Sequence, residues 1–134
     1  MSLENNKVLV ARFAEELWHL KNYGIFDELC TPEFVAHDLP SSVSPNKDGF
    51  KGMAMMIHNA FPDAHLTVED TIADKDKVAL RWNVTATHQG EFMSIPATNR
   101  KVSWSGITIY RIAGTKIVEW WNKSDLSAVP QQLK

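Results

Sequence analysis

The chain has 134 residues, of which 44% are hydrophobic and 22% are charged, a composition typical of one globular domain. We therefore expect a single domain over residues 1–134. The formal net charge of −2 lacks the basic excess that nucleic acid or an anionic membrane would attract, so neither partner is expected. Cys30 is the one cysteine, the first residues lack the apolar core of a signal peptide, and no apolar run reaches membrane-spanning length. These features predict a cytoplasmic protein.

Helical periodicity dominates the first half of the chain. Apolar residues recur from Val10 to Trp18 with the spacing of one helix face, which predicts a helix from Asn5 or Asn6 to about Asn22. A short helix over 25–30 is expected next, ended by Thr31-Pro32. The chain then reads as an extended piece over 34–38, a Ser/Pro loop over 39–45 and a helix over 47–61.

The second half reads as strands joined by turns. The expected strands cover residues 65–73, 77–90, 100–112 and 116–122. Helices followed by an antiparallel meander are typical of the α+β class. We predict a cone-shaped fold: a strongly curved, mainly antiparallel sheet, with the N-terminal helices packed on its concave face and an open mouth suited to an apolar ligand.

The stretch KIVEWWNKSD at 116–125 predicts a strand whose alternate side chains point to opposite faces. Trp120 and Asn122 then share one face, while Glu119 and Trp121 share the other. An aromatic ring beside a carboxamide suits the wall of an apolar cavity that has one polar contact. The alternative is that one tryptophan fills the core and the other fills a dimer interface.

Several fragments, in order, resemble the SnoaL-like polyketide cyclases of the nuclear transport factor 2-like superfamily. They are PEFVAHD at 32–38, FPD at 61–63, DKVALRW at 76–82, THQGEF at 87–92, GITIYR at 106–111, KIVEWW at 116–121 and QL at 132–133. Each fragment is short and made of common residue types, but the ordered set covers most of the chain. The superfamily holds cyclases, isomerases, hydrolases and proteins without known chemistry, so fold alone does not define activity.

The resemblance implies a homodimer formed through the outer sheet face, and ring closure of a polyketide ester by intramolecular aldol condensation without metal or organic cofactor. A carbon acid between two carbonyls needs only one carboxylate base in an apolar pocket, where burial raises its pKa, and donors aimed at the enolate oxygen. The resemblance also implies an acid on the last strand in a His-Trp-Asp context. That triplet falls on Trp120, Trp121 and Asn122, so an amide stands where the acid is expected.

Three other residues are candidates for moving the proton. Asp125 is the next acid along the chain, although it could equally cap a helix. His37, beside Asp38, titrates near neutral pH, and His88 ends a strand on the face of Trp82. The predicted ligand-binding residues are Asn122, Trp120, Trp82, Trp104, Tyr110 and Phe61. No metal-binding motif appears, and no metal site is expected.

Three kinds of function fit these residues. The first is a cofactor-independent enzyme acting on a small hydrophobic carbonyl compound. The second is a non-catalytic protein that binds such a molecule in the same pocket. The third is a dimeric scaffold whose tryptophans are all core. Water addition to an epoxide or lactone is a further enzymatic alternative, in which Arg81 would join an acidic relay; otherwise Arg81 pairs with Glu69 or Glu119 across strands.

Overall fold

The computed structural model describes residues 2–134, and the predicted α+β architecture is confirmed. Four helices flank or follow five strands. The helices are α1 (Leu3–Ala14), α2 (Ile25–Leu29), α3 (Lys47–Ala60) and α4 (Val129–Gln132), and the strands are β1 (Cys30–Ala36), β2 (His65–Asp74), β3 (Lys77–Thr87), β4 (Lys101–Ala113) and β5 (Lys116–Ser124). A π-helical turn, Glu15–His19, extends α1, and a 3-10 turn, Leu126–Ala128, precedes α4. No helix within residues 2–134 is long and apolar enough to cross a membrane.

The five strands form one sheet in the order β1-β5-β4-β3-β2. Strands β2 to β5 pair antiparallel with their neighbours, and β1 pairs parallel with β5. Buried and exposed residues alternate along β3 and β4, as expected for strands with one face on the core. We call the buried face, on which α1 and α3 pack, the inner face of the sheet, and the opposite one the outer face.

Helix α1 begins earlier than the asparagines predict. Ser2 has an extended backbone, and its hydroxyl accepts a hydrogen bond from the Asn5 backbone N–H at 2.9 Å, so Ser2 is the N-cap. Asn6 is instead buried in the first turns of the helix. The N-cap prediction at Asn5 or Asn6 is therefore wrong, because a serine just upstream satisfies the first free backbone donors.

Strand β1 is longer than the predicted extended piece. It starts at Cys30, directly after α2, and passes through Thr31 and Pro32. Because β1 lies at an edge of the sheet, Pro32 can be tolerated there although it lacks a backbone N–H. The Thr31-Pro32 pair thus ends the helix as predicted but does not prevent a strand.

A β-bulge in β5 changes the predicted faces of the last strand. Ile112 pairs with Ile117 but Arg111 pairs with Glu119, so Val118 is an extra residue on β5. An extra residue shifts the alternation by one position. Ile117 therefore lies on the inner face with Trp120, and both are buried, whereas strict alternation placed Ile117 with Glu119. Glu119 and Trp121 stay on the outer face as predicted.

Gly106 leaves room for the indole ring of Trp82 in the middle of the sheet. A Cβ added there would lie 2.7 Å from Trp82 Cζ2 and 2.6 Å from the Lys123 carbonyl oxygen. We expect Gly106→Ala to lower the free energy of unfolding by about 1–3 kcal/mol, the usual cost of overpacking, as measured by urea denaturation. Gly52→Ala is the matched control, because its Cβ would meet nothing within 4 Å; it should stabilise helix α3 by up to about 1 kcal/mol. Equal effects of the two substitutions would contradict this account.

Candidate functional site

An inner cavity of about 80 Å³ lies between the inner face of the sheet and helices α1 and α3. Its walls are mainly apolar and aromatic, with Asn122, Thr108 and the Tyr110 phenol among the polar groups. The lining residues are Ala14, Trp18, Met53, Ile57, Ala64, Leu66, Leu80, Trp82, Val84, Trp104, Thr108, Tyr110, Trp120, Asn122, Ser124 and Leu126. By the volume that water occupies in the liquid, a cavity of this size holds about three water molecules.

A directional hydrogen-bond chain crosses the cavity wall from β3 to β5. The Trp82 indole N–H donates to Thr108 Oγ1 at 2.9 Å, and the Thr108 hydroxyl donates to Asn122 Oδ1 at 2.8 Å. An indole nitrogen can only donate, so the Thr108 hydroxyl proton remains available for the amide oxygen of Asn122. Among residues 2–134, Asn122 Nδ2 has no hydrogen-bond partner. The N–H groups of the Asn122 amide are therefore left to donate to a molecule bound beside Asn122, which lines the cavity.

Tyr110 adds a second hydroxyl group to the same wall. Burial raises the pKa of the Tyr110 phenol above its ordinary value, because the phenolate would be poorly solvated. The phenol thus stays protonated at neutral pH and can donate a hydrogen bond. The Tyr110 phenol is thus a further neutral polar group among the residues that line the cavity.

The cavity continues into a larger outer groove of about 510 Å³. Five residues line both spaces: Met53, Trp120, Asn122, Ser124 and Leu126. The other residues of the outer groove are Asp38, Pro40, Met56, Phe92, Met93, Lys123 and Ser127. Asn122 therefore lies at the junction of a small inner cavity and a more open groove.

Asp38 is the carboxylate of the outer groove. Its Oδ1 accepts a hydrogen bond from Lys123 Nζ at 2.9 Å, and its Oδ2 accepts one from the Asn122 backbone N–H at 3.1 Å. The hydrogen bond from Lys123 is the main cause that lowers the pKa of Asp38, and the Asn122 N–H adds to it. Asp38 is thus an ionised acceptor next to the residue that presents the amide donor.

Five of the six predicted ligand-binding residues line the inner cavity: Asn122, Trp120, Trp82, Trp104 and Tyr110. Phe61 does not. It is fully buried and packs its ring against Trp104, Phe92 and His88 at centroid distances of 5.0, 5.1 and 5.8 Å. Phe61 therefore packs behind the tryptophan wall, because the chain turns into the core at Phe61, directly after the end of helix α3.

His37, a predicted proton carrier, lies away from the inner cavity. Its Nε2 is 2.9 Å from Glu119 Oε2, and its ring stacks on Trp121 at 5.0 Å. Arg111 also donates to Glu119. The hydrogen bond from His37, followed by that from Arg111, lowers the pKa of Glu119. These groups form an ionic cluster on the outer face, because His37 follows the edge strand β1 and faces the outer side of β5.

The other two predicted proton carriers also do not line the cavity. Asp125 is exposed, and its Oδ1 accepts the Ser105 backbone N–H at 2.8 Å. His88 is 0% exposed, with Nδ1 accepting the Thr98 backbone N–H at 3.2 Å, while its Nε2 has no partner within the described chain. The geometry gives Asp125 a turn-stabilising contact and gives His88 a contact that tethers the loop between β3 and β4.

Arg81 pairs with Asp70 across β2 and β3 at 2.6 Å, and not with either predicted glutamate. A bulge in β2 between Val68 and Asp70 brings Asp70 opposite Arg81. Both side chains are about half exposed and lie on the outer face, so Arg81 takes no part in an acidic relay at the cavity.

Over residues 2–134, no group of three or more His, Cys, Asp or Glu side chains is arranged to hold a metal ion.

Two residues have structural roles at the site that the sequence did not indicate. Thr108 connects Trp82 to Asn122, and its only signal was a polar residue on the apolar face shared by Trp104 and Tyr110. His58, on helix α3, is buried. Its Nε2 donates to the Trp18 carbonyl at 3.1 Å, so Nδ1 accepts from the Tyr23 hydroxyl at 2.6 Å. His58 thus holds the π-helical turn that places Trp18 in the cavity wall.

The five-stranded sheet and the helices on its inner face form a small α+β domain with an apolar cavity. A family model for SnoaL-like polyketide cyclases matches residues 8–133. The chain therefore belongs to the SnoaL-like polyketide cyclase family and has the nuclear transport factor 2-like fold. A search of the curated proteins finds no match.

Solved structures with the same fold include cyclases and a protein with a different provisional activity. AclR from Streptomyces galilaeus, provisionally described as a hydroxylase, is 30% identical with a TM-score of 0.84 and covers 98% of this chain and 97% of its own. A provisionally assigned polyketide cyclase from Acidithiobacillus ferrooxidans is 27% identical with a TM-score of 0.82, over 99% and 97% of the two chains. IdmH from Streptomyces antibioticus, with the same provisional assignment, is 27% identical with a TM-score of 0.81, over 96% and 97%.

Burial lowers the pKa of His58, because the imidazolium would lose solvation, and Lys21 nearby acts in the same direction. A histidine whose pKa is lowered by folding stabilises the protein above its unfolded pKa, about 6.5, and loses that contribution as the pH falls. We expect the free energy of unfolding to decrease below about pH 6.5, with His58 contributing at most about 1.4 kcal/mol per pH unit. Chemical denaturation from pH 7.5 to 5 measures this slope.

His58→Gln should reduce the slope, because glutamine can retain both hydrogen bonds without titrating. His65→Gln is the matched control, since His65 is exposed and stacks only on His19. An unchanged slope in His58→Gln, or an equal reduction in the control, would contradict the assignment.

Proposed function

We propose that the protein binds a small hydrophobic β-dicarbonyl compound in the inner cavity and promotes its cofactor-independent ring closure. The observation that carries this proposal is the chain from Trp82 through Thr108 to Asn122, which supports an amide donor facing an apolar space. Such a donor holds a neutral carbonyl oxygen and stabilises it further when it becomes an enolate oxygen. Membership of the cyclase family supports the ring-closing chemistry.

Asp38 is the proton acceptor in this proposal. Its carboxylate lines the outer groove that adjoins Asn122, so a carbon acid bound with its oxygen at Asn122 would lie between the donor and the base. A carboxylate with a lowered pKa is a weak base. It suffices only for a C–H group already acidified by two carbonyls, and this limits the substrate class to 1,3-dicarbonyl compounds.

A second candidate function is binding without catalysis. Within residues 2–134, the inner cavity is lined by no Asp, Glu or His side chain. A cavity with donors but no adjacent base would hold a carbonyl compound and release it unchanged. The two functions differ in proton transfer and not in binding.

The first measurement is the binding of methyl benzoylacetate by calorimetry, with methyl 3-phenylpropanoate as the analogue that lacks the keto oxygen. Asn122→Leu removes the amide donor at similar size and should weaken benzoylacetate binding by about tenfold, while the analogue changes little. Asn83→Leu is the matched control, since Asn83 donates to Glu69 on the outer face. Equal affinity of wild type and Asn122→Leu for benzoylacetate would remove the basis of the proposal.

The second measurement is deuterium exchange at the carbon between the two carbonyls, followed by proton NMR in D2O. Wild type should accelerate exchange above the buffer rate, and Asp38→Asn should lose that acceleration while retaining binding. Asp125→Asn tests the alternative acid in parallel. Loss in Asp125→Asn alone would favour Asp125, and binding without any acceleration in wild type would favour the non-catalytic function.

We also propose that two copies associate through the outer face. Paired residues on four neighbouring strands form an apolar row there: Ile72, Ala79, Ile109 and Trp121. Ile72 and Ile109 are exposed, and Trp121 is partly exposed. An exposed cross-strand row of this kind is suited to burial against a second sheet.

Light scattering after gel filtration should give a mass of two chains for wild type. Ile109→Lys should give one chain, because it places an ammonium in the middle of the row. Thr85→Lys, on the same face but outside the row, should remain dimeric. A monomeric wild type at micromolar concentration would refute the proposal.

A further inference from the structure

Asp38 lies in a sharp turn that brings its side chain back against β5. Its φ angle is 65°, in the left-handed region that aspartate adopts more readily than most residues. Directly before it, the His37 backbone N–H donates to the Trp120 carbonyl at 2.8 Å, which fixes the end of β1 beside β5. The turn therefore allows the Asp38 carboxylate to reach Asn122 and Lys123.

Two donors of different kinds hold the two oxygens of this carboxylate. The Asn122 backbone N–H donates to Oδ2 at 3.1 Å, and Lys123 Nζ donates to Oδ1 at 2.9 Å. The backbone donor is held in place by its strand. The Lys123 side chain starts from a position paired with Ile107 on the outer face, yet it lines the outer groove. Its ammonium therefore lies over the rim of the groove, next to the carboxylate.

Asp38 is the less exposed member of this ion pair. Its side chain is 23% exposed, whereas that of Asp27, which pairs with Lys47 at 3.1 Å, is 86% exposed. Solvent ions screen a pair less when one member is partly buried. Among the described residues that line the outer groove, Asp38 and Lys123 are the only ionisable ones. The neighbouring His37 favours the ionised form of Asp38, as Lys123 does, so Lys123 is the groove's own cation.

We propose that Lys123 is a positioning residue for Asp38: its ammonium holds one carboxylate oxygen and thereby fixes the direction in which the carboxylate faces a carbon acid bound at Asn122. This inference rests on the proposed function and adds the residue that orients its proton acceptor. Proton transfer from carbon requires a base held within hydrogen-bond reach of the C–H group. Without Lys123, the carboxylate would be restrained by the Asn122 N–H alone and could rotate about that contact.

The test compares wild type with Lys123→Gln and Lys123→Arg in the deuterium exchange of methyl benzoylacetate. At saturating ester, Lys123→Gln should slow exchange by about tenfold, while the ester concentration for half-maximal rate changes little, because orientation and not binding is lost. Lys123→Arg keeps a charged donor and should restore most of the rate. Lys47→Gln is the matched control, since Lys47 also pairs with an aspartate but lines neither space; its rate should equal that of wild type.

A titration without ester separates this role from a purely structural one. The hydrogen bond from Lys123 is the main cause that lowers the pKa of Asp38, so this pKa should rise in Lys123→Gln but not in Lys47→Gln, as followed by carbon NMR of the aspartate carboxyl groups. An unchanged pKa of Asp38 in Lys123→Gln, or a wild-type exchange rate in that variant, would overturn the role of Lys123 and leave the proposed function standing. Absence of accelerated exchange in wild type would refute both.

Discussion

The hydrogen bonds from Trp82 to Thr108 and from Thr108 to Asn122 connect three neighbouring strands and determine what the cavity can recognise. The direction of the chain follows from its first member, because an indole N–H has no acceptor function. Thr108 is therefore left to donate, and it holds the amide oxygen of Asn122, so that the amide nitrogen is left without a partner among the described residues. Gly106, opposite Trp82, provides the space in which the indole can lie. The chemistry of the site thus depends on packing in the middle of the sheet.

The ionisable groups nearest to the site are kept at its rim or on its outer side. Glu119 is hydrogen-bonded to His37 and Arg111 on the outer face, and Asp38 pairs with Lys123 in the outer groove. Within the described residues, the inner cavity carries neutral donors and apolar surface only. An isolated charge buried there would have a large solvation cost. This separation makes the interior of the cavity more favourable for neutral groups than for charged ones.

The sequence predicted the α+β order, the strands β2 to β5 within a few residues and most of the tryptophan wall, because these depend on local periodicity. It did not predict the bulge at Val118, since an extra residue is determined by pairing with β4 and not by the pattern of β5 itself. The positions of His37 and Asp125 along the chain also did not indicate where their side chains lie. His37 faces the outer cluster because of the edge pairing of β1, and Asp125 lies just beyond the end of β5. His58 forms hydrogen bonds with Tyr23 and Trp18, which are 35 and 40 residues away in sequence, and no local pattern could indicate these contacts.

The identity of residue 122 decides whether this side chain offers the cavity a hydrogen-bond donor or an acceptor. The Thr108 hydroxyl can donate equally well to an amide oxygen or to a carboxylate oxygen, so the same chain would orient either side chain. A carboxylate would present its second oxygen to the cavity as an acceptor, with a pKa raised by burial. An amide presents a donor instead. In the proposed function, oxygen recognition therefore falls to the amide of Asn122, while Asp38 at the rim supplies the carboxylate. Ring closure by this route would bring the acidic C–H to the boundary between cavity and groove.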